Sequence, residues 1–226
     1  MFGINPIRKQ ELRSDGMLWV QEVFRTIQGE GPLAGRPAVF IRLAGCNLAC
    51  KFCDTEFESG EWLHEEQVGT EAVELAAGWP RPLFVLTGGE PLCQDIRPLV
   101  ERLLREGDVQ IETAGTLWLE DLPPSGQLVV SPKTGKLHWA IVERAQAYKY
   151  IIRAGECDGA DGLPCIMPTG VPGRVARPPP GAEIFVQPCD DHVQVRNAAN
   201  LEAAKESALR FGYRLSLQQH KILGLA

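Results

Sequence analysis

Several absences bound what this chain can be. No stretch approaches the roughly 18 apolar residues of a membrane helix, and the first sixteen residues, MFGINPIRKQELRSDG, carry no apolar leader core. A cytoplasmic protein with no membrane partner is expected. Positive charge is not in excess either: 23 Lys and Arg against 29 Asp and Glu leave a formal net charge of −6. A surface that tracks nucleic-acid phosphates needs a Lys/Arg-rich face, so no nucleic-acid partner is expected. A small anion held by one or two local cations remains compatible with this balance. An even cysteine count is also missing. Seven cysteines fit a disulfide framework poorly, and a reducing compartment keeps thiols free. Internal repeats and blocks of like charge are absent as well.

What is present is an ordinary globular composition, 44% hydrophobic and 23% charged over 226 residues, enough for one α/β domain spanning 1–226. Short β-rich runs alternate with helical patterns. Strands are expected at 19–24 (WVQEVF), 39–44 (VFIRLA), 83–87 (LFVLT), 109–113 (VQIET), 127–131 (QLVVS), 148–152 (YKYII) and 183–187 (EIFVQ). Their near-continuous apolar character suits parallel strands covered on both faces. Helices are expected from Glu71 to Ala77 with Thr70 as cap, from Ile96 to Glu106 before Gly107, and from Asn197 to Phe211 before Gly212. Alternation of this kind implies right-handed βαβ units. About six units of some 30 residues each fill the chain, whereas a complete eight-unit barrel takes about 250 residues. The expected fold is therefore a partial, open parallel β/α barrel. Residues 1–16 read as an irregular extension, and the Gly/Pro-rich stretch 154–182 as a long inserted surface loop.

The chemistry starts at Cys46, Cys50 and Cys53 in GCNLACKFCDT, a C-x3-C-x2-C spacing. Three thiolates so close together can ligate one metal cluster from a single loop. Three is one too few for a closed tetrahedral zinc site or a fully ligated four-iron cluster, so one iron would stay open to a small molecule. Polar motifs then follow the strands at their C-terminal ends, the edge where parallel α/β sheets and barrels build active sites. They are Gly88-Gly89-Glu90-Pro91, Thr113-Ala114-Gly115-Thr116, Ser131-Pro132-Lys133 and Gln187-Pro188-Cys189-Asp190. Paired glycines allow backbone to approach a ligand closely.

The cysteine loop together with Gly-Gly-Glu-Pro resembles the radical S-adenosylmethionine (SAM) superfamily. That resemblance implies a [4Fe–4S] cluster on the three cysteines, with SAM chelating the fourth iron and yielding a 5′-deoxyadenosyl radical. FRTIQGEGPLAGRPAVFIRLAGCNLACKFCDTEF, TGGEP, ETAGT, SPK, QP-x-D and the terminal RLSLQQHKILGLA narrow it further. Together they resemble the 7-carboxy-7-deazaguanine synthase family over nearly the whole chain. The resemblance implies a lyase converting 6-carboxy-5,6,7,8-tetrahydropterin to 7-carboxy-7-deazaguanine with loss of ammonia, in queuosine and related 7-deazapurine biosynthesis. It begins with abstraction of the C6 hydrogen and is assisted by Mg2+. A flavodoxin- or ferredoxin-type reductant and a homodimer are implied with it.

Carried over position by position, the resemblance puts Ile27, Gln28, Gly29, Glu30, Arg42, Thr87, His220 and the carboxylate of Ala226 on the pterin, within a closing tail at 214–226. Gln, Glu and a glycine backbone match the adjacent donors and acceptors of a pterin edge, and Arg42 suits a carboxylate through its planar fork. Phe52, Cys53, Asp54, Gly89, Glu90, Glu112, Ser131, Pro132, Lys133, Gln187, Pro188, Cys189 and Asp190 fall to SAM. Thr55 falls to Mg2+, a hard ion that prefers oxygen and keeps several waters. No titratable side chain stands out as a hydrogen-atom carrier. Cys157, Cys165 and Cys189, with His192, match no compact ligand pattern for a second metal. Two other functions share part of this pattern. A glycyl-radical activase has the same cysteine loop but needs a surface for a partner polypeptide, and an electron carrier would need the missing fourth ligand.

Overall fold

The computed structural model describes residues 5–53, 55–56, 58–171 and 173–225. All its strands join one sheet, in the order β3-β1-β2-β4-β5-β6-β7-β8-β9. They are β1 (Met17–Ile27), β2 (Pro37–Leu43), β3 (Glu61–His64), β4 (Leu83–Gly88), β5 (Asp108–Thr113), β6 (Gln127–Val130), β7 (Ala145–Ile152), β8 (Ile184–Pro188) and β9 (Arg214–Leu215). From β2 through β9 every neighbouring pair is parallel. The sheet ends at β3 and β9 without closing, so it is an open α/β sheet, not a complete barrel.

Each run expected to be a strand lies in one to within a residue, but the first does not run parallel. β1 pairs antiparallel with both β2 and β3. The reason is the connection: residues 28–36 alone join β1 to β2, and a parallel pair needs a crossover of a dozen residues or more.

The helices are α1 (Glu65–Leu75), α2 (Arg97–Leu103), α3 (Trp139–Arg144), α4 (Gln194–Phe211) and α5 (Gln219–Leu223). α1 starts six residues before the expected Glu71. His64 Nδ1 accepts from Glu66 N–H at 3.3 Å, and Glu65 and Glu66 favour the positive end of the helix dipole. Thr70, expected as the cap, lies mid-helix and donates its hydroxyl to the Glu66 carbonyl at 2.7 Å. α2 ends at Leu103 and not Glu106, tightening into turns before Gly107, where a Cβ would stand 2.3 Å from the Pro82 carbonyl. α4 begins at Gln194, ahead of the expected Asn197, and ends as expected at Gly212 in the left-handed conformation, φ 74°.

No helix intervenes between β5 and β6 or between β7 and β8 among the described residues, so the run of regular β/α units is interrupted twice. The second gap is the 154–182 insertion. It is not a loose surface loop: Leu163 and Val175 are buried in the main core, where a crossover helix would otherwise lie. Its backbone also reaches the cysteine loop, accepting Lys51 N–H at the Pro168 carbonyl, 2.9 Å. Residues 5–16 are likewise tied down, through Arg8 N–H to the Cys46 carbonyl at 2.7 Å and Glu11 N–H to the Cys93 carbonyl at 2.8 Å.

Strand parity divides the side chains between two environments. On the outer face Ile41, Phe84, Leu86, Ile111, Val130, Tyr148 and Tyr150 join one large core under the helices. On the inner face Ala38, Leu83 and Val85 form a small apolar floor. Above it the inner positions turn polar, and that change creates the site.

Candidate active site

Six consecutive parallel strands each place one polar side chain on the inner face toward the C-terminal end, from three residues before it to one past it. These are Arg42, Thr87, Glu112, Ser131, Lys149 and Gln187, and all line one cavity of about 690 Å3. The cysteine loop forms one wall of this cavity through Cys46, Cys50, Phe52, Cys53 and Thr55, and the C-terminal segment closes another through Gln218, His220, Lys221 and Leu225. A volume of this size suits small ligands and cofactors, whose pockets run about 300–1,000 Å3.

The Gly-Gly pair has a duty beyond the one the sequence suggested. Gly88 has φ +130°, and a Cβ there would stand 2.0 Å from the Leu43 carbonyl oxygen; at Gly89 it would stand 2.0 Å from that of Gly45. Both glycines let the end of β4 press on backbone, and both also line the cavity. Gly89 N–H donates to the Leu43 carbonyl at 3.0 Å and Glu90 N–H to that of Gly45 at 2.9 Å, which fixes the start of the cysteine loop. Glu90 is wholly buried and lies outside the cavity lining. Its carboxylate accepts from Thr113 Oγ1 at 2.7 Å, Ala114 N–H at 2.7 Å and Leu92 N–H at 3.1 Å, locking the β5 rim to β4. Burial raises its pKa in spite of these donors. Glu90, expected on SAM, thus lies behind the cavity wall and ties two strand ends together.

Of the other expected positions, Ile27, Gln28, Glu30, Cys189, Asp190 and Pro188 also line the cavity, as do Gly89 and Lys133. Gly29 and Pro132 do not. Gly29 lies beneath the tail, where a Cβ would meet His220 Nδ1 at 2.2 Å. Pro132 faces a small crevice shared with Pro164, Ile166 and Pro168 of the insertion. Asp54 and Ala226 lie outside the described residues. Arg42, expected to meet a substrate carboxylate, donates through Nε to Glu22 at 2.7 Å, and its guanidinium covers Phe24 at 5.5 Å.

The tail is stitched down by polar contacts. Gln218 Nε2 donates to Glu30 at 2.9 Å, Lys221 Nζ to Asp190 at 2.8 Å, and Gln219 N–H to the Gly29 carbonyl at 3.1 Å. Ser216 Oγ accepts Gly31 N–H at 3.0 Å and donates to Gln187 at 3.2 Å. Burial alone would raise the Asp190 carboxyl. The Lys221 ammonium and donors from His192 N–H and Asn197 outweigh it and hold the group well below the carboxylate range.

Sequence reasoning missed Lys149. Its ammonium pairs with Glu30 and, at 3.0 Å, with Glu112. The signal was available: one Lys in the otherwise apolar or neutral run AQAYKYII must either break the strand or find buried partners.

The cysteines fit an iron–sulfur cluster. All three lack disulfide partners, and Leu48 N–H donates to Cys46 Sγ at 3.4 Å. Burial pushes the Cys46 and Cys50 thiols up, so their thiolates call for a bound cation. Among the described residues no three His, Cys, Asp or Glu groups surround a single ion. A four-iron cluster makes a different demand, since each cysteine takes its own iron. Mg2+ needs few protein ligands, and the cavity wall offers it Thr55. Cys157 and Cys165 sit on the insertion hairpin, with Cys165 N–H donating to the Glu156 carbonyl at 2.9 Å, while Cys189 faces the main cavity; the structure does not gather them into one site.

An open parallel sheet with a three-cysteine loop at its C-terminal rim is the arrangement of the radical SAM superfamily. The model of that superfamily matches residues 40–176, and the chain belongs to it. Its nearer kinship is with the 7-carboxy-7-deazaguanine synthases, to whose family it also belongs. The protein of that name from Rhodospirillum rubrum is 50% identical over 237 residues, covering 100% of both chains. That from Rickettsia prowazekii is 39% identical, covering 100% of this chain and 96% of its own. The crystal structure of QueE from Escherichia coli superposes with a TM-score of 0.65 at 25% identity, over 89% of this chain and 94% of that one. The chain is accordingly an enzyme, a radical SAM lyase acting on a small molecule with a [4Fe–4S] cluster, SAM and Mg2+. No helix among the described residues is long and apolar enough to cross a membrane.

Proposed function

We propose that this chain, as a single radical SAM domain, converts 6-carboxy-5,6,7,8-tetrahydropterin to 7-carboxy-7-deazaguanine and ammonia. The observation that carries the reading is the shape of the cavity: a polar ring from six strand ends faces the cysteine loop on one side and a tail-covered Gln28–Glu30 loop on the other. The first side suits a cluster with SAM, the second a polar heterocycle. When bound, the cluster and SAM supply hydrogen-atom abstraction at C6 of the substrate.

The chain's own residues bind, orient and enclose. Cys46, Cys50 and Cys53 hold the cluster; Phe52, Gly89, Glu112, Ser131, Lys133, Gln187, Pro188, Cys189 and Asp190 surround the space for SAM. Lys133 donates to the Ser131 carbonyl at 3.1 Å; its burial lowers its pKa, with nearby Cys50 opposing. Arg42 exchanges Glu22 for the substrate carboxylate and binds it through its fork. Thr55 holds Mg2+ through oxygen. Ile27, Gln28 and Glu30 read the pterin edge, Thr87 borders it, and the His220 segment excludes water and stray reductant from the reacting carbon. A homodimer in the cytoplasm, served by a flavodoxin- or ferredoxin-type reductant, completes the proposal. Large exposed side chains such as Val195, Leu209 and Ile222 support association.

The test is anaerobic turnover. Reconstituted protein with SAM, Mg2+ and a reductant should consume the carboxy-tetrahydropterin and release the deazaguanine with ammonia. SAM cleavage that becomes productive only with a protein substrate would instead assign the chain to the glycyl-radical activases.

A further inference from the structure

Lys149 is buried, its side chain 6% exposed, on the inner face of β7 between Tyr148 and Tyr150, which face the outer core. Taking an ammonium out of water costs several kcal/mol unless partners compensate. Here three elements meet at its nitrogen: β7 supplies the cation, β5 supplies Glu112, and the loop after β1 supplies Glu30.

The two carboxylates are not equivalent. An ionised carboxylate has about four acceptor positions. Glu112 has three of them engaged, by Gln28 Nε2 at 3.0 Å, Gln110 Nε2 at 2.9 Å and Lys149 at 3.0 Å. At Glu30 the donors are Gln218 Nε2 at 2.9 Å and Lys149, and the His220 side chain adds to the favourable field. Glu112 is thus held by donors from its own strand and from the loop after β1, whereas Glu30 is held from β7 and the tail and lines the cavity beside His220. Without a cation, two buried carboxylates this near each other would not both ionise. Burial opposes the charge on Glu30, yet the Lys149 ammonium and the Gln218 donor prevail and bring its pKa down to about 2.

We propose that Lys149 is a positioning residue for substrate recognition: paired with Glu112, it keeps Glu30 as an anionic acceptor for the adjacent N–H donors on the 2-amino-4-oxo edge of the substrate ring. The inference rests on the pterin reading above and specifies how that reading is enforced. The charge sum of two carboxylates and one ammonium is −1, which favours a donor–donor edge. It disfavours a ring with a carbonyl in place of the 2-amino group, because carbonyl oxygen and carboxylate oxygen repel.

The test compares two fluorescent ring probes, 6-carboxypterin and 6-carboxylumazine, titrated against reconstituted protein with SAM present. Wild type is expected to prefer the pterin by about tenfold or more, the value of one or two hydrogen bonds to a charged group. In Lys149→Met the two carboxyls share a proton, the neutral acid can donate to the lumazine carbonyl, and the preference falls to about threefold or less. Adding Glu112→Gln to Lys149→Met removes one anion with the cation and restores the preference. Iron content stays at the wild-type level in both variants, and SAM affinity does so in Lys149→Met. A Lys149→Met protein that keeps the full preference, or a double variant no more selective than the single one, overturns the proposal. Should Lys149→Met not fold, Glu112→Gln and Glu30→Gln decide: selectivity kept by the first and lost in the second supports it, and the reverse refutes it. A wild type that binds SAM but neither probe refutes the pterin reading itself, and this inference with it.

Discussion

Arg42 sits among Glu22, Phe24 and the open cavity, with 22% of its side chain exposed. A guanidinium paired to a half-exposed carboxylate is poised for exchange, since exposed pairs contribute at most about 1 kcal/mol. Arg42→Ala is expected to raise KM for the carboxylated substrate about tenfold to a hundredfold, the value of a charge-assisted bidentate contact. Iron content and SAM binding should not change; an unaltered KM in steady-state assays would remove the assigned role. Gly88 is constrained in another way. Its φ of +130° and the 2.0 Å clash awaiting any Cβ with the Leu43 carbonyl leave no room to relax. Gly88→Ala should cost about 3 kcal/mol or more, read by denaturant unfolding, and should loosen the cysteine loop so that less iron is retained on reconstitution.

At the scale of elements, two irregular segments do work that helices do elsewhere. The 154–182 insertion is clipped by Arg177, which donates to Asp161 at 2.7 and 3.1 Å, to the Pro164 carbonyl at 2.8 Å, and to those of Val175 and Leu163 at 3.1 and 3.3 Å. Removing such a hub leaves several buried carbonyls unsatisfied. Arg177→Ala is expected to lose about 2–3 kcal/mol, a fall in Tm of roughly 5 °C or more for a chain this long, visible by calorimetry. The C-terminal tail is the second case. Its seat depends on Gly29, where a methyl group would stand 2.2 Å from His220 Nδ1 and 2.9 Å from the His220 backbone nitrogen. Gly29→Ala should displace the tail and raise KM roughly tenfold while the melting temperature stays near wild type, a separation that kinetics and calorimetry together would test.

For the molecule as a whole, pH acts through opposed groups. The folded Glu30 carboxyl, at about 2, lies below its ordinary 4.5. Its contribution to stability is present above pH about 4.5 and is lost as pH falls toward 2. Asp190 and Asp108 are lowered too and add in the same direction. Glu90, raised by burial, acts the other way: its contribution is full below about 4.5 and fades as pH rises through its folded pKa. Lys149 is raised above its usual 10.5 by Glu112 and Glu30 despite burial, so its share persists until strongly alkaline pH. Melting temperature should hence decline from about pH 4.5 downward, and Glu30→Gln should flatten that limb. An acid limb unchanged in the variant would remove Glu30 from the account.

Much of this protein was legible in one dimension. Strand positions followed from apolar runs of 4–8 residues, and the cluster from three cysteines whose spacing needs no tertiary information. The rim motifs were legible because parallel sheets expose their C-terminal ends whatever the loops do. Other features depend on which chain segments meet in space. The direction of β1 was set by the brevity of its link to β2. The role of Gly88-Gly89 was set by the Leu43 and Gly45 carbonyls they press against, and the duty of Glu90 by donors on β5. Lys149 is the sharpest instance. The sequence placed a charge in a strand, but only the fold brings Glu30 and Glu112, 119 and 37 residues away, to its nitrogen. Periodicity and spacing act along the chain and can be read from it. Charge pairing and close backbone contact act across the chain, and these only the tertiary structure decided.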